Sequence, residues 1–145
     1  RPYADGNARN EADYWLLEGS IDAAGTTLHA GYEVLGGDGG YGFATPFATL
    51  HAFNGWADRF GTTPVDGLRD GWIGARRGFG AVSAQLAWHR FEADHGGADY
   101  GSEWDAALAW PFAPRWNLLL KLARYDSDGF GADVDKAWVD LEYRY

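Results

Sequence analysis

The chain has 145 residues and a formal net charge of −9, with eight each of tryptophan, tyrosine and phenylalanine, twenty-one glycines, and neither cysteine nor methionine. A disulfide framework and a thiolate metal site are thereby excluded, and the acidic balance argues against nucleic acid, whose phosphates need a basic patch. No run of eighteen apolar residues is present, which excludes a transmembrane helix and leaves an aromatic- and glycine-rich chain suited to strands joined by tight turns.

Residues 1–10 (RPYADGNARN) are polar and carry Pro, Gly and Asn, so they read as an exposed arm or the end of a loop. From 13 to 22 the side chains alternate, with Trp15, Leu17 and Ile21 on one face and Tyr14, Leu16, Glu18 and Ser20 on the other. A short Ala-Ala-Gly-Thr turn comes next. Residues 27–35 alternate again, Leu28, Ala30, Tyr32 and Val34 opposing His29, Gly31 and Glu33, which predicts a hairpin. Residues 36–69 break the rhythm and predict one long loop excursion, because GGDGGYGF is too glycine-rich for a strand interior and Pro46 and Pro64 interrupt the residues after it. Within it, 43–53 is a candidate eighth strand, although Pro46 would remove a ladder hydrogen bond there.

Clean alternation resumes at 70–77, turns at 78–80 and continues from 81 to 91, where Val82, Ala84, Leu86 and Trp88 oppose Ser83, Gln85, Ala87 and His89. EADHGGADYG at 92–101 predicts a loop. Residues 103–112 then set Trp104, Ala106, Leu108, Trp110 and Phe112 against Asp105, Ala107 and Ala109, with Pro111 weakening the strand and Pro114 stopping it. Residues 116–125 place Trp116, Leu118, Leu120 and Leu122 opposite Asn117, Leu119, Lys121 and Ala123. After a loop at 126–135, the closing stretch KAWVDLEYRY alternates apolar Ala137, Val139, Leu141, Tyr143 and Tyr145 with Lys136, Trp138, Asp140, Glu142 and Arg144.

Two features turn this pattern into a fold class. The closing strand ends on an aromatic that belongs to its apolar row, as in outer-membrane barrels whose last strand touches lipid and finishes in the interfacial girdle. The connections after residue 77 alternate between short (GFGA, FAPR) and long (EADHGGADYG, DSDGFGADVD), a sorting by end that such barrels show and soluble barrels have no reason to show. The expectation is an all-β, antiparallel transmembrane β-barrel in the bacterial outer membrane, with seven or eight strands in one domain spanning 1–145 and a 36–69 excursion. Parity adds a condition. If the short turns are periplasmic, the first strand runs downward from outside, so either part of the barrel precedes it or 43–53 restores an even count. The rival classes are a soluble lipocalin-like ligand barrel, with an apolar interior and polar exterior, and a small outer-membrane barrel with a structural or enzymatic role.

The run from Ala30 to Ala75, containing GYEVLGGDGGYGF and FNGWADRF, resembles bacterial outer-membrane proteins of the alginate export family and porins, as do HGGADYGSEWDAALA at 95–109 and the closing KAWVDLEYRY. The resemblance extends over about four fifths of the chain, spread across many strand segments as the signal of such barrels is. It implies the C-terminal portion of a larger barrel and a diffusion channel for small hydrophilic or sugar-like solutes, with polysaccharide export as a variant. Outer-membrane lipids and the solute are the implied partners, together with either a homo-oligomer or a missing N-terminal barrel half.

Alternation nominates Glu18, His29, Glu33, Arg76, Gln85, His89, Asp105, Lys121, Asp140, Glu142 and Arg144 as the pore lining. Asp58, Arg59, Arg69 and Asp70 are constriction charges if the excursion folds inward, and Trp15, Trp104, Trp110, Trp116 and Tyr145 are girdle aromatics. No catalytic residue, cofactor or metal is expected. His29, His51, His89 and His95 lack ligand spacing, no GxSxG occurs, and Gly36 to Gly42 lacks the ending of a phosphate loop. The aspartates Asp94, Asp99, Asp126, Asp128, Asp133 and Asp135 have oxygens suited to calcium, yet no EF-hand register, and read more simply as solvated loops.

Overall fold

The computed structural model describes residues 12–45 and 54–145. Seven strands succeed one another: β1 (Tyr14–Ala23), β2 (Thr26–Leu35), β3 (Leu68–Phe79), β4 (Val82–Glu92), β5 (Asp99–Ala113), β6 (Trp116–Ser127) and β7 (Val134–Tyr143). They form one antiparallel sheet in chain order, with no helix among the described residues. The sheet is open: β1 and β7 are its edges, each hydrogen-bonded to one neighbour. The candidate strand at 43–53 lies mostly outside the described residues, and 43–45 are not in a strand.

Connections sort by end as expected. Residues 24–25, 80–81 and 114–115 make two-residue turns at one end, while 36–67, 93–98 and 128–133 make the long connections at the other. Each short turn uses the left-handed region, at Ala24 and Gly25 (φ 50° and 76°), Gly80 (63°) and Arg115 (69°). At 114–115 the proline presets the first turn residue and Arg115 takes the positive φ that the second requires. The turn expected at 78–80 therefore falls two residues later, because Gly78 and Phe79 stay in register with Ser83 and Val82. Pro111, which has no N–H to donate, sits inside the register shift between Trp110 and Ala113. β5 begins at Asp99 rather than 103, since Tyr100 packs into the core and Gly101 continues the ladder opposite Phe91 and Ser127.

Strand register sorts the side chains onto two faces. One polar row runs Glu18, Gly31, Trp72, His89, Glu103 and Tyr125 from β1 to β6, and the next runs Ser20, His29, Gly74, Ala87, Asp105, Ala123 and Lys136. The opposite face carries Leu17, Ile21, Ile73, Leu122, Val139 and Leu141, all more than half exposed. The core is on the polar side, at the long-loop end. There Leu35, Ala57, Phe60, Leu68, Phe91, Tyr100 and Tyr125 are buried between the sheet and the segment leading from residue 54 into β3.

Candidate functional site

From residue 54 onward the excursion folds back onto the polar face, and its seat is the best-defined feature of that face. Asn54, Gly55 and Asp58 have positive φ (56°, 81° and 55°), so the chain curls tightly and turns its amides toward the sheet. The Trp56 amide donates to Asp105 Oδ2 (3.2 Å) and the Ala57 amide to Glu103 Oε1 (2.6 Å). Asn54 Nδ2 donates to Glu33 Oε2 (2.7 Å) and reaches Asp70 Oδ2 at 3.4 Å. Four acidic side chains on β2, β3 and β5 thus form a buried cradle that accepts backbone and amide donors from the segment. Tyr14 adds a hydroxyl to Glu33 Oε1 (3.0 Å).

Aromatic packing fixes the other half of the segment. Phe60 stacks on Phe130 (5.3 Å between ring centres) and meets Phe91 (4.6 Å) and Tyr125 edge-on (6.0 Å). The Tyr125 hydroxyl donates to the Tyr100 carbonyl. Lys121 Nζ stands 3.9 Å above the Trp56 ring, a cation–π contact that holds the indole over the sheet. His89 is held between rings and acids: Trp72 and Phe91 stack on it at 6.0 and 5.6 Å, Asp70 Oδ1 is 2.9 Å from Nδ1, and Asp105 Oδ2 is 3.8 Å from Nε2.

The nominated residues meet this site unevenly. Glu18, His29, Glu33, Arg76, Gln85, His89, Asp105, Lys121, Asp140 and Glu142 all fall on the polar face, and Arg144 extends that row past β7, pairing with Glu142 (2.9 Å). Glu33 and Asp105 are not open lining groups, however. They are buried beneath the segment whose donors they accept. Asp58 and Arg59 do fold inward, but neither stands as a bare constriction charge: Asp58 pairs with Lys136 (2.9 Å) and the Arg59 guanidinium lies over Tyr125 (5.9 Å) against Gly131. Arg69 is corrected outright. Its position in β3 puts it in the outward row, where it bridges to Asp94 (2.9 Å). Asp70 faces inward from the strand itself, paired with His89.

Among the aromatics expected in a girdle, Trp110 and Trp116 lie at the short-turn end with Phe112 and Tyr143, and Trp15 lies at the long-loop end tilted against Tyr32 (5.4 Å). Trp104 is at mid-height instead, opposite Trp88, because β5 runs further than its alternation suggested. Tyr145 extends beyond β7, fully exposed. Of the aspartates expected in loops, Asp126 lies in β6 and Asp135 in β7; Asp94 pairs with Arg69, Asp99 and Asp128 share Arg90, Asp126 pairs with Arg124, and Asp133 accepts the Ser127 amide. Among the described residues no group of three or more acids and histidines could hold a metal ion.

Phe60, Glu103 and Gly55 were not singled out by sequence. Only Glu103 carried a signal, as a charged residue on the same face of β5 as Asp105. Beside the seated segment remains a polar groove of about 210 Å³, lined by Glu18, Asn54, Trp56, Trp72 and Gln85 among others, with the buried Glu33 at its floor. Carboxylates, two amides and two indoles suit hydroxylated or cationic small solutes. No protein-family model, curated protein or solved structure matches this chain.

Proposed function

We propose that the chain forms wall strands of an outer-membrane β-barrel channel, with the segment 54–60 narrowing the lumen from its seat on the polar face. One observation carries this reading: the face that turns away from the loop exposes Leu17, Ile21, Ile73, Leu122, Val139 and Leu141, an apolar surface far beyond what soluble monomers leave in water. Ten-residue strands span roughly 33 Å, and at a tilt near 45° about 24 Å, which matches a hydrocarbon band of about 25 Å. The lipocalin-like reading expects an apolar inner face, whereas four buried carboxylates lie under the loop here.

β1 and β7 run in the same direction, so antiparallel closure takes an odd number of further strands. That agrees with the resemblance to larger barrels of the alginate export and porin type. The solute we favour is small and neutral or cationic rather than a polyanion, because Glu18, Asp140 and Glu142 outnumber Arg76 and Arg144 on the uncovered polar surface while Lys121 and Lys136 are drawn under the loop by Trp56 and Asp58. The test is reversal potential of the reconstituted full-length barrel in planar bilayers under a salt gradient. A mild cation preference that fades as salt rises is expected. Absence of conductance would overturn the channel reading, and clear anion selectivity would restore the polyuronate conduit.

A further inference from the structure

The outward face carries a groove of about 720 Å³, within the size range of built ligand pockets, lined by Ile21, Leu28, Ile73, Ala75, Leu86 and Trp88 among others. Register explains its shape. Gly19 and Ala30 lead a row that rises to Ile73, Trp88 and Trp104, so small residues leave a hollow beside a tryptophan ridge. Below it, two residues past Ala75 on the same row of β3 and so roughly 7 Å nearer the short-turn end, is Arg77. Its Nη1 donates to Thr26 Oγ1 (3.3 Å) and its guanidinium lies 5.6 Å from the Phe79 ring centre, which holds an exposed cation at the mouth of the hollow. Of the other outward arginines, Arg69 and Arg90 sit toward the long-loop end and Arg124 stands opposite Trp104, and each pairs with an aspartate. Arg77 has no ion pair among the described residues.

We infer that this groove is a binding site for one anionic phospholipid, its acyl chain in the hollow and its phosphate on Arg77 and Thr26. The inference rests on the membrane reading above. Charge and polarity match along one line: an apolar trough at hydrocarbon depth ends at a positioned guanidinium and hydroxyl at the level of the Phe79, Phe112 and Trp116 aromatics, where headgroups lie. An isotropic lipid contact would need neither the hollow nor an arginine left without a carboxylate.

Native mass spectrometry of the full chain, released from detergent after exposure to phosphatidylglycerol or phosphatidylcholine, counts retained lipid. Wild type should keep one lipid and prefer phosphatidylglycerol. Arg77→Gln should lower phosphatidylglycerol retention about fivefold and abolish the headgroup preference. Ala75→Trp, which fills the hollow, should lose both lipids. Arg115→Gln makes the same charge change at the same end, on a turn away from the groove, and should behave as wild type. Equal retention in wild type and Arg77→Gln would overturn the inference, as would a two-chain species abolished by Ala75→Trp, which would make the groove an interface between copies. Since Arg77 is exposed, its variant carries the test even if Ala75→Trp fails to fold. A chain that conducts in bilayers yet retains lipid identically in all variants refutes only the lipid site; a chain that never partitions into vesicles refutes the membrane reading with it.

Discussion

Replacing Gly55 by alanine should unseat the loop, for two additive reasons. The residue has φ 81°, where a side chain costs about 1–2 kcal/mol in backbone strain. An added Cβ would also stand 2.6 Å from Glu103 Oε2. Glu103 is fully buried and cannot swing away without releasing the Ala57 amide it accepts at 2.6 Å. An ordinary hydrogen bond contributes about 0.5–1.5 kcal/mol. Together the two effects come to about 1.5–3.5 kcal/mol, which raises the unseated population roughly ten-fold to several-hundred-fold. Gly80→Ala is the matched control, with φ 63° and open space around the new Cβ. Amide hydrogen exchange over 54–60 measures the effect directly. Protection of Trp56 and Ala57 should collapse in Gly55→Ala while that of β4 and β5 persists, and Gly80→Ala should leave the segment protected. Equal exchange in the two variants would refute the reasoning, because the clash with Glu103 would then contribute nothing.

Two further expectations concern the faces and the loop end. Leu120 lies in the outward row and Lys121 in the inward one, so Leu120→Arg should weaken folding into lipid vesicles by about 2–4 kcal/mol near the midplane while Lys121→Gln loses only the cation–π contact with Trp56, about 0.5–1 kcal/mol; equal losses in folding titrations would refute the inside–outside assignment. Asp38, in the glycine-rich turn before β3, accepts amides of Gly40 (2.9 Å) and Tyr41 (2.8 Å), which hold its carboxyl below the ordinary carboxylate range. The turn gains from the ionised form, so its stabilisation is present above the usual carboxylate pKa and is lost as pH falls through the lowered value. Amide shifts of Gly40 and Tyr41 should report that titration, and a midpoint at or above the ordinary value would contradict the hydrogen-bonding explanation.

What the sequence by itself determined was the alternation. A period of two in seven segments fixes which side chains share a face, so Leu118, Leu120 and Leu122 could be set against Asn117 and Lys121 from the residues alone, and short connections could be told from long ones. That logic is local, and it failed where local cues mislead. HGGADYG reads as loop, yet Tyr100 is drawn into the aromatic core and takes the start of β5 with it, which moves Trp104 from a strand end to mid-height. The seat of the excursion was beyond reach for a different reason. Glu103 and Ala57 are 46 residues apart and Lys136 and Asp58 are 78 apart, so neither pairing leaves a periodic trace. Arg69 illustrates the limit at a single residue: as a charge beside a loop it suggested a constriction, but one position of register sends it to the outward face, where it finds Asp94 instead. Periodicity assigns a side chain to a face, but only the folded chain decides which distant backbone comes to lie on that face and which of its charges are thereby taken out of water.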